Sequence, residues 1–134
     1  MALIPDGERL VSRYLREHAA IDALGARVVG KTPDSTSTSW VRVTQLDAGQ
    51  GPSPSDRLVP FYFQFDCYAG AEGGQPEANT LGRTIRAALT EMSGTYADGT
   101  VSGAKINGDG RIPDGDFEPA RERRVLTATV WAHA

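Results

Sequence analysis

The chain has 134 residues, 40% of them hydrophobic and 23% charged, and its formal net charge is −3. This length fits one domain with a sizeable core, and the composition excludes a fibrous repeat or a wholly disordered chain. The acidic balance argues against general affinity for nucleic acid, which needs a surplus of lysine and arginine. The opening segment, MALIPDGERL, has no basic head or long apolar run, so we expect no secretory signal, no membrane span, and synthesis in the cytoplasm.

The first third of the sequence predicts a helix followed by two strands. Asp6 can cap a helix whose apolar residues recur at spacings of three and four, and Gly25 is expected to end it. The helix is expected to loosen around HAAIDALG. ARVVGKTP predicts a short strand and DSTSTS a polar turn, and WVRVTQL alternates as a second strand. Val41 and Val43 lie on one face of this strand, and Trp40, Arg42 and Thr44 lie on the other.

The strongest strand signal is RLVPFYFQFDCYA, which follows the loop-like segment DAGQGPSPSD. One face of this strand is an unbroken apolar row. The opposite face keeps Tyr62 and Tyr68, so we expect it to be partly covered as well. Cys67 is the sole cysteine, which excludes an intramolecular disulfide, and its apolar surroundings predict a buried, inert thiol.

The second half predicts one helix and a closing strand. Pro76 and Glu77 open the helix, and Gly82 within it predicts close approach to the sheet. The buried stripe of this helix consists of Ala78, Leu81, Ile85, Ala88, Leu89 and Met92. Residues 93–119 are rich in turn formers and predict at most a hairpin between TVSGAKI and GRI. RRVLTATVWA then alternates in a way that leaves neither face simply solvated.

Together these elements predict an α+β domain over residues 1–134, with flexible loops near 47–57 and 93–119. Its sheet is expected to be largely antiparallel, with about four or more strands and two main helices packed on one face. Trp40, Tyr62 and Trp131 fall on the other face, where no spare helix remains to cover them. An oligomer would cover them, and the alternative is that they are ordinary scattered surface aromatics.

The stretch KINGDGRIPDGD resembles a twelve-residue calcium loop, with Asn107, Asp109 and Gly110 at matching positions. Lys105 occupies the place of the first aspartate ligand, however, and Asp116 is one methylene shorter than the usual bidentate glutamate. An EF-hand also needs a flanking helix on each side, and none is predicted. We therefore interpret the stretch as turn chemistry at the tip of a hairpin or loop, with no metal.

No pattern of catalytic residues is evident. His18 and His133 lack a second ligand or base at a suitable spacing, and AGAEGGQPEAN lacks the lysine and hydroxyl of a phosphate-binding loop. We expect no cofactor. The charged run from Asp114 and Asp116 to Arg123 and Arg124 is either a solvated loop or a patch that fixes the register between subunits.

Three segments carry a resemblance to a known family: LVSRYLREHAAIDALGARVVGKTP, FQFDCYAG with PEANTLGRTIRAAL, and ERRVLTATVWAHA. In element order the chain resembles the small tail terminator proteins of long-tailed bacteriophages, siphoviruses, especially those that infect actinobacteria. The resemblance implies an α+β virion protein that works by binding and not as an enzyme. It implies a homo-oligomeric ring, commonly a hexamer, assembled in the host cytoplasm and placed at the head-proximal end of the tail.

The resemblance also implies partners: other copies of the chain, the tail tube protein and head-tail connector proteins. DNA would pass through the ring without specific binding, and no membrane is involved. The alternatives are a neck, head-tail connector or tail completion protein, and a host calcium-binding or enzymatic module. The residues expected at oligomer or partner interfaces are Trp40, Arg42, Tyr62, Tyr68, Asp114, Asp116, Arg123, Arg124 and Trp131.

Overall fold

A computed structural model describes residues 4–33, 38–49, 58–70, 74–112 and 122–134. Within these ranges the chain forms three helices and six strands. In chain order they are α1 Gly7–Glu17, α2 Ala19–Ala23, β1 Arg27–Val29, β2 Trp40–Ala48, β3 Val59–Tyr68, α3 Gln75–Thr90, β4 Gly94–Tyr96, β5 Gly99–Arg111 and β6 Arg123–His133. None of the described helices is long and apolar enough to cross a membrane.

The N-terminal helical region forms as its capping residues predict, but it divides into two helices. The Asp6 carboxylate accepts a hydrogen bond from the Arg9 amide at 3.1 Å, which caps α1. His18 has an extended backbone that ends α1, and its Nδ1 accepts from the Ala20 amide at 3.2 Å to start α2. Gly25 then adopts a left-handed conformation, with φ of 69°, that stops the helix.

The sheet has the strand order β1-β2-β3-β6-β5-β4. Four of its neighbouring pairs are antiparallel, and β1 runs parallel to β2. The predicted α+β class is therefore confirmed, and the sheet is mixed, with six strands and three helices in place of the two main helices that were predicted.

One buried cluster joins the three helices to one face of the sheet. The strands contribute alternate residues, such as Phe61, Phe63 and Phe65 of β3, as their period of two dictates. Gly7 of α1 lies so close to β3 that a Cβ there would be 2.5 Å from the Phe61 ring. A Cβ at Gly82 of α3 would be 2.6 Å from Cδ of Arg124 on β6, which confirms the predicted close approach.

The prediction of an irregular segment over 93–119 is wrong for most of its length. Residues 94–96 and 99–111 form β4 and β5, so Lys105 to Arg111 lie within a strand and not at a hairpin tip. Glycine, asparagine and aspartate have low strand propensity, but pairing with β6 along ten registered positions overrides it. Residues 113–121, and 50–57 of the other predicted loop, lie outside the described residues.

Candidate interaction surface

The sheet face opposite the helical cluster carries most of the predicted interface residues. We call it the outer face. Its described residues on β2, β3 and β6 include Trp40, Arg42, Thr44, Pro60, Tyr62, Gln64, Asp66, Tyr68, Arg123, Val125, Thr127, Thr129 and Trp131. Strand register brings Arg42 and Arg123 to either side of Asp66 and Tyr68, although they lie 81 positions apart in the chain.

Two stacked aromatic rings lie at one end of the outer face. The rings of Trp40 and Tyr68 are directly opposite across β2 and β3, with centroids 3.9 Å apart and an interplanar angle of 13°. The Arg42 and Arg123 guanidinium groups each lie 5.8 Å from the Tyr68 ring centroid. Both arginines are within cation–π distance of Tyr68, and these contacts link three adjacent strands.

A buried carboxylate pairs with both of these arginines. Asp66 Oδ2 lies 3.3 Å from Arg42 Nη2, and Oδ1 lies 3.4 Å from Arg123 Nη1. The Gln64 amide donates a third hydrogen bond to Oδ1 at 3.1 Å. Because a buried carboxylate is stable only when it is paired and hydrogen-bonded, this cluster links the three strands.

This geometry corrects part of the predicted interface. Trp40 and Tyr68 were predicted to lie at an oligomer or partner interface, but they are 1% and 0% exposed within the single chain. Their stacked rings cover each other, which sequence alternation alone cannot reveal. Toward the other end of the outer face, Tyr62 remains 37% exposed and Trp131 is half-buried. These two aromatics are the accessible part of the predicted set.

Arg124 lies on the helix-bearing side of the sheet, away from Arg123. Its Nε and Nη2 donate to the two carboxylate oxygens of Asp109 at 2.6 and 3.0 Å, and Arg86 Nη1 donates to Asp109 at 2.9 Å. The hydrogen bonds from Arg124, then those from Arg86, hold the pKa of Asp109 below its ordinary value of 3.8. Asn79 Oδ1 accepts from Arg124 Nη1, so α3, β5 and β6 meet here.

The sequence interpretation missed this Asp109 cluster. The hydrogen-bonded pairs of this cluster are Arg124 with Asp109, Arg86 with Asp109 and Arg124 with Asn79. Their members are 15, 23 and 45 positions apart, so no local spacing in the sequence links them. Asp114 and Asp116, the predicted acidic members of the patch, lie outside the described residues. The engagement of Asp109 by two guanidinium groups also leaves its oxygens poorly placed to bind calcium.

Two further side chains with possible reactivity are Cys67 and His18. Cys67 is fully buried, and burial raises the pKa of its thiol, as expected for an inert cysteine. His18 lines an open groove of about 490 Å³ between α2 and α3, with its Nε2 3.7 Å from Glu91 Oε2. Within the described ranges, no three histidine, cysteine, aspartate or glutamate side chains gather as a metal site would require.

The sequence matches the family of the tail completion protein gp17 over residues 9–131, from within α1 to within β6. The chain belongs to this family. It is therefore a bacteriophage tail protein with a structural role, and the resemblance to tail completion and terminator proteins is confirmed. None of the curated proteins compared with the chain matches it.

In a tail completion protein the accessible part of the outer face is the natural candidate for contacts with other tail proteins. Tyr62 lies opposite Thr129 and Trp131 lies opposite Pro60, with the half-buried Thr127 next along the same face of β6. Aromatic residues are enriched at protein interfaces, because they combine a large apolar area with few rotatable bonds.

Proposed function

We propose that the protein is a tail terminator that forms a ring of six copies, caps the tail tube and provides the surface for head-tail joining. It would occupy the head-proximal end of the tail after assembly in the bacterial cytoplasm. Its partners would be further copies of itself, the tail tube protein and the head-tail connector. Membership of the tail completion family supports a tail role, and the outer face supports assembly.

The observation that carries the proposal is the accessible aromatic part of the outer face. The buried residues of all three helices belong to the core on the opposite side. The side chains of Tyr62 and Trp131 therefore remain partly exposed on the face of the sheet that the described helices do not cover. A further helix or a neighbouring subunit would normally pack on such a face. A ring supplies such a neighbour to every subunit with one repeated contact.

The net charge of −3 suits a ring through which DNA has to pass. A lumen lined with lysine and arginine would bind phosphates and slow the DNA, whereas an acidic subunit would not hold it. This point supports passage without specific DNA binding. It also predicts that the ring retains no DNA at physiological salt.

The proposal can be tested by native mass spectrometry of the purified protein combined with electron microscopy of tails assembled with and without it. We expect one closed oligomer, alone or on the tail tip, and tails of uncontrolled length when the protein is omitted. The Tyr62→Ser variant should weaken assembly. The matched control is Leu24→Ser, which removes another exposed apolar side chain, 40% exposed at the end of α2, on the helical side.

A pull-down separates this role from that of a neck or connector protein. Immobilised protein is offered the tail tube protein in one arm and portal or connector protein in the other. A terminator retains tail tube protein through a contact that Tyr62→Ser weakens. Retention of the portal protein alone would reassign the chain to the neck.

A further inference from the structure

His18 lies where three helix ends meet. It is the residue at which α1 ends and α2 begins, and its ring lines the groove between α2 and α3, beside Glu91 at the end of α3. Its amide donates to the Leu15 carbonyl of α1 at 3.3 Å, and its own carbonyl accepts from the Asp22 amide at 3.0 Å. Both neighbouring helices therefore fix the backbone of His18, and its side chain lies between them.

The two ring nitrogens of His18 have different partners. Nδ1 accepts a hydrogen bond from the Ala20 amide at 3.2 Å, and Nε2 lies 3.7 Å from Glu91 Oε2. Because a backbone amide can only donate, Nδ1 carries no proton in this arrangement. The imidazole is then neutral, with its one proton on Nε2, on the side of Glu91. The cap of α2 thus depends on the neutral form of the ring.

Addition of a second proton removes this cap. Histidine side chains change charge between about pH 5 and 8, and an imidazolium has an N–H at both nitrogens and no acceptor. A protonated Nδ1 would face the Ala20 amide donor to donor, and its positive charge would lie among the free amides at the start of α2. The same charge is favourable beside the Glu91 carboxylate and at the C-terminal ends of α1 and α3. The neutral ring and the charged ring therefore stabilise different helix ends.

The charged and titratable groups around the ring come from all three helices. They are Tyr14 and Glu17 on α1, Asp22 on α2, and Arg83 and Glu91 on α3. Tyr14 contacts the ring edge-on, and burial is the main cause that raises the pKa of this tyrosine to about 12, so it stays neutral. Within the described ranges, the ring forms an ion pair with Glu91 alone. Glu91 is therefore the group that a charged His18 would bind.

We propose that His18 is a pH-sensitive element of the fold: in acid its ring leaves the α2 cap and binds Glu91, and the first turn of α2 opens. Helix α2 depends on its cap because it has five residues, of which Ile21 alone is buried. Ile21 stays anchored in the core, so the change is confined to residues 19–24. Ala20 lines the groove of about 490 Å³ between α2 and α3, so opening of this turn changes the shape of the groove.

Nuclear magnetic resonance of the full chain tests the proposal between about pH 7.5 and about pH 5, the range in which histidine changes charge. At the upper pH the ring nitrogens of His18 should report a neutral ring with its proton on Nε2. The chain has one other histidine, and the His133→Gln variant assigns its signals. As the pH falls, the protection of amides 20–24, corrected for the intrinsic exchange rate at each pH, should decrease about fivefold, as for the loss of an N-cap. The protection of β3 and β6 should not change.

Two variants separate the cap from the charge. His18→Asn should make the protection of residues 20–24 independent of pH, because asparagine caps a helix whatever the pH, whereas the control His133→Gln should behave as the wild type. Glu91→Gln should keep the cap of the neutral ring and lower the pH at which it is lost, since the amide no longer favours the charged ring.

Three results would overturn the proposal. The first is a proton on Nδ1 of the neutral ring, and the second is an unchanged α2 after the ring has become charged. The third is the same pH dependence in His18→Asn as in the wild type. Loss of protection throughout the sheet over this range would indicate general acid unfolding and would also overturn the proposal.

Discussion

Replacing Asp109 by asparagine should lower stability by removing the charge that holds Arg124 and Arg86 between α3, β5 and β6. The carboxylate is only 10% exposed and accepts three charged hydrogen bonds, two of them from the Arg124 guanidinium. Asparagine keeps the shape and can still accept one or two of these bonds. A net loss of about 2 kcal/mol in the free energy of unfolding follows from the value of hydrogen bonds to charged groups.

This loss converts into a measurable change in melting midpoint. For 134 residues, the entropy of unfolding is about 0.28 kcal/mol/K, so about 2 kcal/mol lowers the midpoint by about 7 °C. The assay is thermal unfolding at pH 7, followed by circular dichroism. The matched control is Glu122→Gln, because Glu122 makes an equally regular bidentate pair with Arg111 at 3.0 and 2.9 Å. The Arg111 and Glu122 side chains are more exposed, at 47% and 28%, so the loss of this pair should lower the midpoint clearly less.

The same substitution should change how the free energy of unfolding depends on pH in the acid range. The pKa of Asp109 is lowered in the folded state, mainly by the Arg124 hydrogen bonds. Its contribution is therefore complete at pH values above the unfolded value near 3.8, and it disappears as the pH falls through the folded-state pKa. The difference between wild type and Asp109→Asn should be constant from pH 7 to about pH 5 and shrink below pH 4. A pH-independent difference, or equal losses for Asp109→Asn and Glu122→Gln, would refute this reasoning.

Three further predictions follow from burial and exposure. Trp40→Ala should destabilise the protein by about 3 kcal/mol or more in urea unfolding, since a buried stacked ring is lost. Tyr62→Ala should change stability little and weaken assembly, and equal losses of stability would contradict the difference in burial between the two ends of the outer face. Cys67 should resist a thiol reagent in the native protein and react in denaturant, and fast native labelling would show that the thiol is accessible. Millimolar calcium should leave the melting midpoint unchanged, because Arg124 and Arg86 already engage the Asp109 oxygens. Calcium binding at a hundred times the dissociation constant would instead stabilise the protein by about 2.7 kcal/mol, and a raised midpoint would contradict this prediction.

Local sequence patterns predicted the elements that are defined by periodicity. The apolar row of β3 and the buried stripe of α3 are regular, so helix, strand and core could be assigned from the sequence. Asp6 and Gly25 marked the ends of the first helical region because capping is a local interaction. Gly82 was also interpreted correctly, since a glycine in a helix usually has a packing reason.

The errors arose where distant residues decide the structure. Strand β5 contains glycines, Asn107 and Asp109, whose intrinsic preference is for turns, and its extended form depends on β6 about twenty residues later. The burial of Trp40 depends on the register that places Tyr68 opposite it. The Asp109 cluster needs three elements to meet, so only the assembled fold reveals it.

The most direct test of the central proposal is the mass of the assembled protein, measured by native mass spectrometry with and without tail tubes and matched to images of the tail ends. The account predicts a closed ring of six copies, alone or on the tube, seen as a cap at one end of each tail. A strict monomer that neither self-associates nor binds tail tubes would contradict it.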